Sequence, residues 1–311
     1  MISRDTFLVP RDTEGALSIN RRMVGILLAA VICLPSPAFA VVRAQAPALG
    51  EQRAEPSVEV DAEATGFRDA LRQEVPRLIT DDPKREQVWV ELTQAAITAG
   101  GYTIDRPQLL VVVDRSPRVQ QMRIILALPD GPWQSLGGTK VSTGRPGQVE
   151  HFLTPTGIFL HTAAILDWRA EGTFNEHNVR GLGLEGMRVW DFGWQHAFKG
   201  WGRPGTVGKM RLLLHATDPA SLERRLGRAA SEGCVRLPTE MDRFLDAHGV
   251  LDRDYEKAAQ TKARFAAFLL AGRTPTPLAG DALVIIDSSD HPSKPRTPLR
   301  INARLKAYHR R

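Results

Sequence analysis

Cysteine is rare in this chain of 311 residues, which has only two thiols, Cys33 and Cys234. So few thiols exclude a disulfide-stapled scaffold, an iron–sulfur protein and a four-cysteine zinc site. The eight histidines do not have the spacing of zinc ligands, so no metal site is expected. Apolar runs stay shorter than the roughly 20 residues of a membrane helix, which excludes a polytopic membrane protein. The remaining composition, 42% hydrophobic and 24% charged, is typical of a globular protein that buries its own core.

The first 40 residues have the pattern of an export signal. Two arginines precede the apolar run Met23 to Leu34, and the small-x-small motif Ala38-Phe39-Ala40 follows it. We therefore expect a signal peptide over 1–40, no stable membrane span after its cleavage, and a location in the periplasm or cell wall. Cleavage removes Cys33 and leaves Cys234, either as a small buried hydrophobe or as a reactive nucleophile.

Two further segments are interpreted as lying outside the folded body. Residues 41–61 are rich in Ala, Pro and Glu and are predicted to be a linker. Residues 289–311 form a basic tail, whose bases are Lys294, Arg296, Arg300, Arg304, Lys306, Arg310 and Arg311. The overall charge of +6 therefore belongs to the tail, which is either a solvated end or a loose contact with an anionic envelope surface. No nucleic-acid-binding motif is present, so nucleic acid is not an expected partner.

A helical N-terminal segment is predicted over 62–101. Its first helix repeats apolar residues at spacings of three and four, at Phe67, Leu71, Val75 and Leu78. A second helix is predicted over 84–99, where Gly100-Gly101 ends it. This segment either packs on the following domain or only spaces it from the linker.

Short strand patterns separated by turns dominate residues 107–288, the predicted catalytic domain. The strand patterns lie at 109–113, 122–128, 140–143, 157–161, 188–192, 210–215 and 283–286. Helical patterns lie at 221–229, 239–247 and 255–270. This succession predicts an α+β fold that is mainly β with peripheral helices, built as a β-sandwich or a related mixed sheet. The last strand is expected to return to the sheet after the helices.

Cys234 and His215 are the residues best suited to chemistry. Cys234 follows Gly233 at a turn where the backbone can approach another group closely, and His215 ends the apolar pattern Leu212-Leu213-Leu214. A thiol with a pKa of about 8.5 is mostly protonated at neutral pH. An adjacent imidazole activates it by forming a thiolate–imidazolium pair. These residue types therefore predict a nucleophile–base dyad, with backbone N–H groups of the turn directed at a developing oxyanion.

At these residues the sequence resembles the L,D-transpeptidase family, which has a YkuD-like catalytic domain. The matching elements are His215-Ala216 and the segment 231–236, Ser-Glu-Gly-Cys-Val-Arg. Upstream, residues 141–147 and 154–159 resemble the family's V-S-T-G … T-P-x-G-x-F region. The resemblance covers roughly residues 107–250 and implies an L,D-transpeptidase-like β-sandwich or mixed-sheet fold.

The resemblance assigns roles to the residues that match the motifs. It implies that Cys234 is the acyl-accepting nucleophile and that His215 is its base, oriented through its second ring nitrogen by the backbone carbonyl of Ala216. The N–H groups of Gly233 and Cys234 would line the oxyanion site. Ser231 would shape the loop.

Two positions depart from the common family pattern. Glu232 stands where many members have His, and Ala216 stands where Gly is more frequent. Neither change removes the nucleophile or the base. An acid beside Cys234 disfavours the thiolate if it points inward.

Arg236, Trp201 and His161 are the candidate substrate-binding residues. Arg236 belongs to the matching motif and either shapes the pocket or braces the turn by bonds to carbonyls. Trp201, in an aromatic-rich stretch, either packs in the core or belongs to a flap that holds the substrate. His161 follows a strand pattern inside the matched region and is expected to line the cleft.

The other histidines carry weaker signals. His177 and His196 lie in a polar, Gly-rich stretch; they either border the cleft or, as expected, lie at the surface. His151 and His248 lie in loop contexts and carry no functional signal.

The resemblance implies a peptidoglycan L,D-transpeptidase that needs no cofactor or metal and whose partners are peptidoglycan peptide stems. In the family's reaction, the cysteine attacks the third residue of a tetrapeptide stem and releases the terminal D-alanine. An amine of another stem then resolves the thioester and forms a 3→3 cross-link. Water as acceptor would make an L,D-carboxypeptidase or murein hydrolase, and a lysine of an envelope lipoprotein would make an attachment enzyme. A non-catalytic wall-binding module is the alternative from a different class, whereas the motifs fit a sortase poorly.

Overall fold

The structure is a computed structural model that describes residues 56–289. The predicted signal peptide, most of the predicted linker and all but the first residue of the basic tail lie outside these residues. Among the helices of the described residues, none is long and apolar enough to cross a membrane.

Five α-helices and nine β-strands make up the regular structure of residues 56–289. The helices are α1 (Pro56–Glu74), α2 (Pro83–Gly100), α3 (Thr239–Ala247), α4 (Arg253–Ala259) and α5 (Ala263–Phe268). The strands are β1 (Gln108–Asp114), β2 (Gln121–Ala127), β3 (Gln134–Lys140), β4 (Gly157–Leu160), β5 (Trp168–Arg169), β6 (Arg188–Phe198), β7 (Val207–Ala216), β8 (Val235–Leu237) and β9 (Ala282–Ile286). The predicted α+β class is confirmed. The description "mainly β" was wrong, because α1 and α2 alone contribute 19 and 18 residues.

The strands form two mixed sheets that share one hydrophobic core. The first has the order β3-β2-β1-β9-β4 and the second has the order β5-β6-β7-β8. Val111 and Ile124 from the first sheet meet Leu214 and Val235 from the second in a single buried cluster. Strand β9 returns after the helices and pairs parallel with β1, as predicted. Removal of both inner faces from water is the main contribution to the stability of this arrangement.

The N-terminal helices pack on the sheets and do not act as a spacer. Phe67 and Leu71 of α1 belong to the core between the sheets, while Trp89 and Ile97 of α2 cover the outer face of the first sheet. Strand β1 is consequently buried along its whole length, which explains its continuous apolar sequence.

The predicted linker was too long at its C-terminal end, because α1 already begins at Pro56. Proline is favoured at the first position of a helix, where its missing N–H costs nothing. Val60 also packs against the core, so residues 56–61 belong to the folded body.

Two predicted helices differ from the structure. The pattern over 221–229 forms only a 3₁₀ turn, Glu223–Arg225, because the chain then turns back to the sheet and the Gly227 N–H donates to the Val141 carbonyl at 2.7 Å. The pattern over 255–270 is divided into α4 and α5. The extended backbone of Lys262 separates them.

The strand predicted at 140–143 lies too far toward the C-terminus, because the strand in the structure is β3, which ends at Lys140. The middle of β3 contains Gly137 and Gly138, which hide the strand pattern in the sequence. A side chain at Gly138 is excluded, since a Cβ there would lie 1.8 Å from the Met122 carbonyl oxygen.

A buried ionic cluster joins β6 to the loops and helices around it. The Arg188 guanidinium is fully buried and donates to Asp167 at 2.9 Å, to Asp246 at 2.9 Å and to Asp252 at 2.8 Å. These carboxylates precede β5, lie in α3 and precede α4, respectively. Burial removes these carboxylates and Arg188 from water, and their mutual attraction offsets that cost only if every charge keeps its partner.

Substitution of Arg188 by Met should remove about 3–5 kcal/mol from the free energy of unfolding, because it leaves buried carboxylates without their countercharge. Urea denaturation followed by circular dichroism measures the change. The matched control is Arg72→Met, which breaks an exposed pair with Asp69 and should cost less than about 1 kcal/mol. Equal midpoints for the Arg188→Met variant and the wild type would contradict a stabilising role for the cluster.

Candidate active site

Strands β7 and β8 bring the predicted dyad to one face of the second sheet. Their parallel pairing sets Leu214 opposite Val235 and His215 opposite Arg236, and Cys234 immediately precedes β8. Because side chains alternate across a strand, Leu214 and Val235 face the core. His215 therefore faces the other way and lines a cleft together with Cys234, whose side chain also packs against the core.

The cleft has a volume of about 980 Å³ and is strongly basic. Among the described residues, its lining includes the arginines Arg145, Arg225, Arg228 and Arg236, the histidines His151, His177 and His215, and one acid, Glu232. His151 lies in a loop, as expected, and this loop borders the same cleft as Cys234. His177, expected at the surface, is exposed and also borders the cleft.

The turn before Cys234 requires glycine at position 233. Gly233 has a φ of 138°, and a Cβ at this position would lie 2.7 Å from the Met210 sulfur. The Thr154 hydroxyl donates to the Gly233 carbonyl at 2.6 Å and accepts from the Gly144 N–H at 2.8 Å. These bonds hold three segments that are distant in sequence around the turn.

Ser231 fixes the same turn from the inside. Its hydroxyl donates to the Cys234 carbonyl at 2.6 Å and accepts from the Gly233 N–H at 3.2 Å, in agreement with the predicted role in shaping the loop. The Gly233 N–H is therefore already bonded within the turn. The expectation that it lines an oxyanion site stays a prediction.

His215 is oriented as expected for a base. Its Nδ1 lies 2.5 Å from the Ala216 carbonyl oxygen. A carbonyl can only accept, so Nδ1 carries the hydrogen and Nε2 keeps its lone pair. Burial, together with the positive charge of Arg236, lowers the pKa of His215 to about 4. The imidazole is consequently neutral at pH 7.

Cys234 rests as a thiol. Burial raises its pKa to about 11, the carboxylates of Glu232 and Asp191 act in the same direction, and the Leu213 N–H and Arg236 oppose them. The sulfur lies 3.6 Å from the Arg211 carbonyl oxygen, to which a protonated thiol can donate. At neutral pH both groups are therefore uncharged at rest, because desolvation disfavours both charges. The activated thiolate–imidazolium pair stays a prediction.

Arg236 combines the two roles that the sequence left open. Its guanidinium donates to the Ala230 carbonyl at 3.4 Å, which braces the turn, and its side chain also lines the cleft. Within the described chain, its buried Nε has no hydrogen-bond partner. The guanidinium thus has one long bond to the protein, at 3.4 Å, and no carboxylate partner among the described residues.

Trp201 is absent from the described lining of the cleft. Its ring packs edge-on against Phe152 at 5.0 Å between ring centroids. The Phe152 N–H in turn donates to the Glu232 carbonyl at 2.9 Å. The structure therefore favours packing over direct contact for Trp201.

His161 does not line the cleft, and this prediction was wrong. Its ring is fully buried in the ionic cluster, with Nε2 at 2.9 Å from Asp167 and Nδ1 at 2.8 Å from the Leu251 carbonyl. It also stacks on Tyr255. Because β4 pairs with β9 in the first sheet, the residue that follows β4 is carried away from the face that bears Cys234.

Within residues 56–289, no group of three or more His, Cys, Asp or Glu side chains is arranged to hold a metal ion. Comparison with known proteins gives no assignment either. No protein-family model matches the sequence, and no curated protein matches it.

The raised pKa of the Cys234 thiol predicts slow alkylation at neutral pH. The rate with iodoacetamide should rise about tenfold per pH unit up to a pH near the pKa, because only the thiolate reacts. Mass spectrometry of the peptide that contains Cys234 measures the rate.

The Glu232→Gln variant provides the matched control. Removal of this carboxylate should lower the pKa of Cys234 and accelerate alkylation at pH 8, since its negative charge raises that pKa. A rate that is already independent of pH between 7 and 9 would instead indicate an ion pair in the resting dyad.

Proposed function

We propose that the protein is a peptidoglycan L,D-transpeptidase, a cysteine-dependent acyltransferase that forms 3→3 cross-links and has the L,D-transpeptidase-like fold. The main support is the position of Cys234 and His215 in the wall of one cleft, on the same face of one sheet. The bond from the His215 Nδ1 to the Ala216 carbonyl directs the other nitrogen toward use as a base.

The convergence of the three matching segments also supports the proposal. Ser142 forms a bridge with Arg236 and Gly144 forms one with Ser231, while Thr154 bonds the Gly233 carbonyl. The upstream segments that resemble the family therefore surround the segment that carries the thiol. Such long-range contacts are independent of the residue pattern that suggested the family.

In the first half-reaction, His215 Nε2 accepts the thiol proton while the Cys234 sulfur bonds to the carbonyl of the third residue of a tetrapeptide stem. The Cys234 N–H is the proposed donor to the oxyanion. The bond to the terminal D-alanine then breaks, and its amine leaves with the proton from His215. A thioester remains on Cys234.

In the second half-reaction, an amine of another stem attacks the thioester carbonyl. His215 accepts a proton from this amine and returns it to the sulfur as the carbon–sulfur bond breaks. Because both groups begin and end neutral, the transfer of the proton accompanies attack and does not precede it. Water or a lipoprotein lysine as the acceptor would use the same thioester, and export to the periplasm or cell wall accords with either.

Incubation with a disaccharide tetrapeptide should add the mass of the tripeptide acyl group to Cys234 and release D-alanine. Cross-linked dimers in the products indicate transfer, while tripeptides alone indicate hydrolysis. The Cys234→Ala variant should lose at least about 10³-fold in activity, since it lacks the nucleophile, and circular dichroism establishes that it is folded. Full activity in this variant would refute the proposal.

A further inference from the structure

Positive charge is concentrated around the thiol without compensation from the protein. Arg145, Arg225, Arg228 and Arg236 line the cleft. Among the described residues, none of these four guanidinium groups forms a salt bridge. The cleft therefore presents donors that a ligand can satisfy.

Well-buried arginines elsewhere in the described chain have carboxylate partners. Arg123 pairs with Asp81 at 2.6 Å, and Arg273 pairs with Asp252 at 2.6 Å. A shortage of acidic residues does not explain the difference, because Glu232 lies in the cleft and still pairs with none of its arginines. The lack of carboxylate partners is thus particular to the arginines of the cleft.

Arg225 and Arg228 are free to bind a ligand. Both side chains are exposed. The contacts that hold these residues in the fold are made by backbone atoms, for example the hydrogen bond from the Ser142 hydroxyl to the Arg228 carbonyl at 2.7 Å. Arg236 lies deeper, on β8, where it lines the cleft and its guanidinium donates to the Ala230 carbonyl at 3.4 Å. The donors thus extend from the rim of the cleft to the dyad.

We propose that the cleft recognises its acyl donor through at least two ionised carboxylates, bound by Arg225 and Arg228 at the rim and by Arg236 beside the dyad. The inference rests on the proposed function and names its substrate class: a peptide with free carboxylates and not its amidated form. Guanidinium binds carboxylate with two parallel hydrogen bonds, whereas a carboxamide is neutral and offers only one acceptor oxygen.

Carboxylate binding at Arg236 also acts on the dyad. The charge of Arg236 helps to lower the pKa of His215, so an anion beside Arg236 raises that pKa and strengthens the base. The bound donor thereby assists the removal of the thiol proton by His215.

The test compares a tetrapeptide donor that has free side carboxylates with the same peptide in which they are carboxamides. Wild-type kcat/KM should fall at least about tenfold on amidation, because the amidated donor loses the charge-assisted contacts of its side carboxylates. The Arg225→Gln and Arg228→Gln variants should each raise KM for the free donor about three- to tenfold. Each variant should also have a smaller ratio of kcat/KM for the free donor to kcat/KM for the amidated donor than the wild type has.

Arg224→Gln is the matched control. Arg224 lies on the same 3₁₀ turn, but it lines a different cavity beside Glu223, so its loss should leave KM and the preference unchanged. Calorimetric titration of the Cys234→Ala variant with both peptides measures recognition without turnover, and the free peptide should bind about tenfold more tightly.

The outcomes separate this inference from the proposed function. Equal acylation rates and equal affinities for the two peptides would overturn the inference while the transpeptidase assignment stands. An equal effect of Arg224→Gln and Arg225→Gln would also overturn it, because it would show a diffuse charge effect. Preferential binding of the free peptide without any acylation of Cys234 would support recognition and refute the reaction.

Discussion

The parallel register between β7 and β8 is the constraint on which the site depends. It sets His215 opposite Arg236 and starts β8 immediately after Cys234. Because side chains alternate along a strand, a shift by one residue would turn Val235 out of the core and displace the thiol from the cleft. The apolar residues between the two sheets thus determine the position of the dyad as well as the stability of the fold.

The same placement sets the electrostatic character of the site. Burial disfavours the thiolate and the imidazolium, and the charge of Arg236 reinforces the second effect. Cys234 and His215 are therefore both neutral, while the four arginines that line the same cleft are charged. Charges that stabilise the fold are kept elsewhere, in the cluster of Arg188, Asp167 and Asp252, where each has its countercharge.

Local sequence patterns were most informative for the regular elements. The spacing of Phe67 and Leu71 predicted the face of α1 that packs on the core, and Gly101 ends α2 in the left-handed conformation that glycine favours. The patterns were least informative where long-range contacts override them. Gly138 lies in a strand because a neighbouring carbonyl occupies the space of a side chain, and 221–229 is not a helix because Gly227 bonds to Val141.

The sequence by itself determined the residue types of the site, a cysteine after glycine and a histidine at the end of an apolar strand, and the helices and most strands that support them. Only the tertiary structure decided which side chains share the cleft. His161 is buried in the ionic cluster, while His151 and the arginines of distant loops join Cys234. The physical reason is that burial, charge and hydrogen-bond competition depend on neighbours far apart in the chain, which no local pattern specifies.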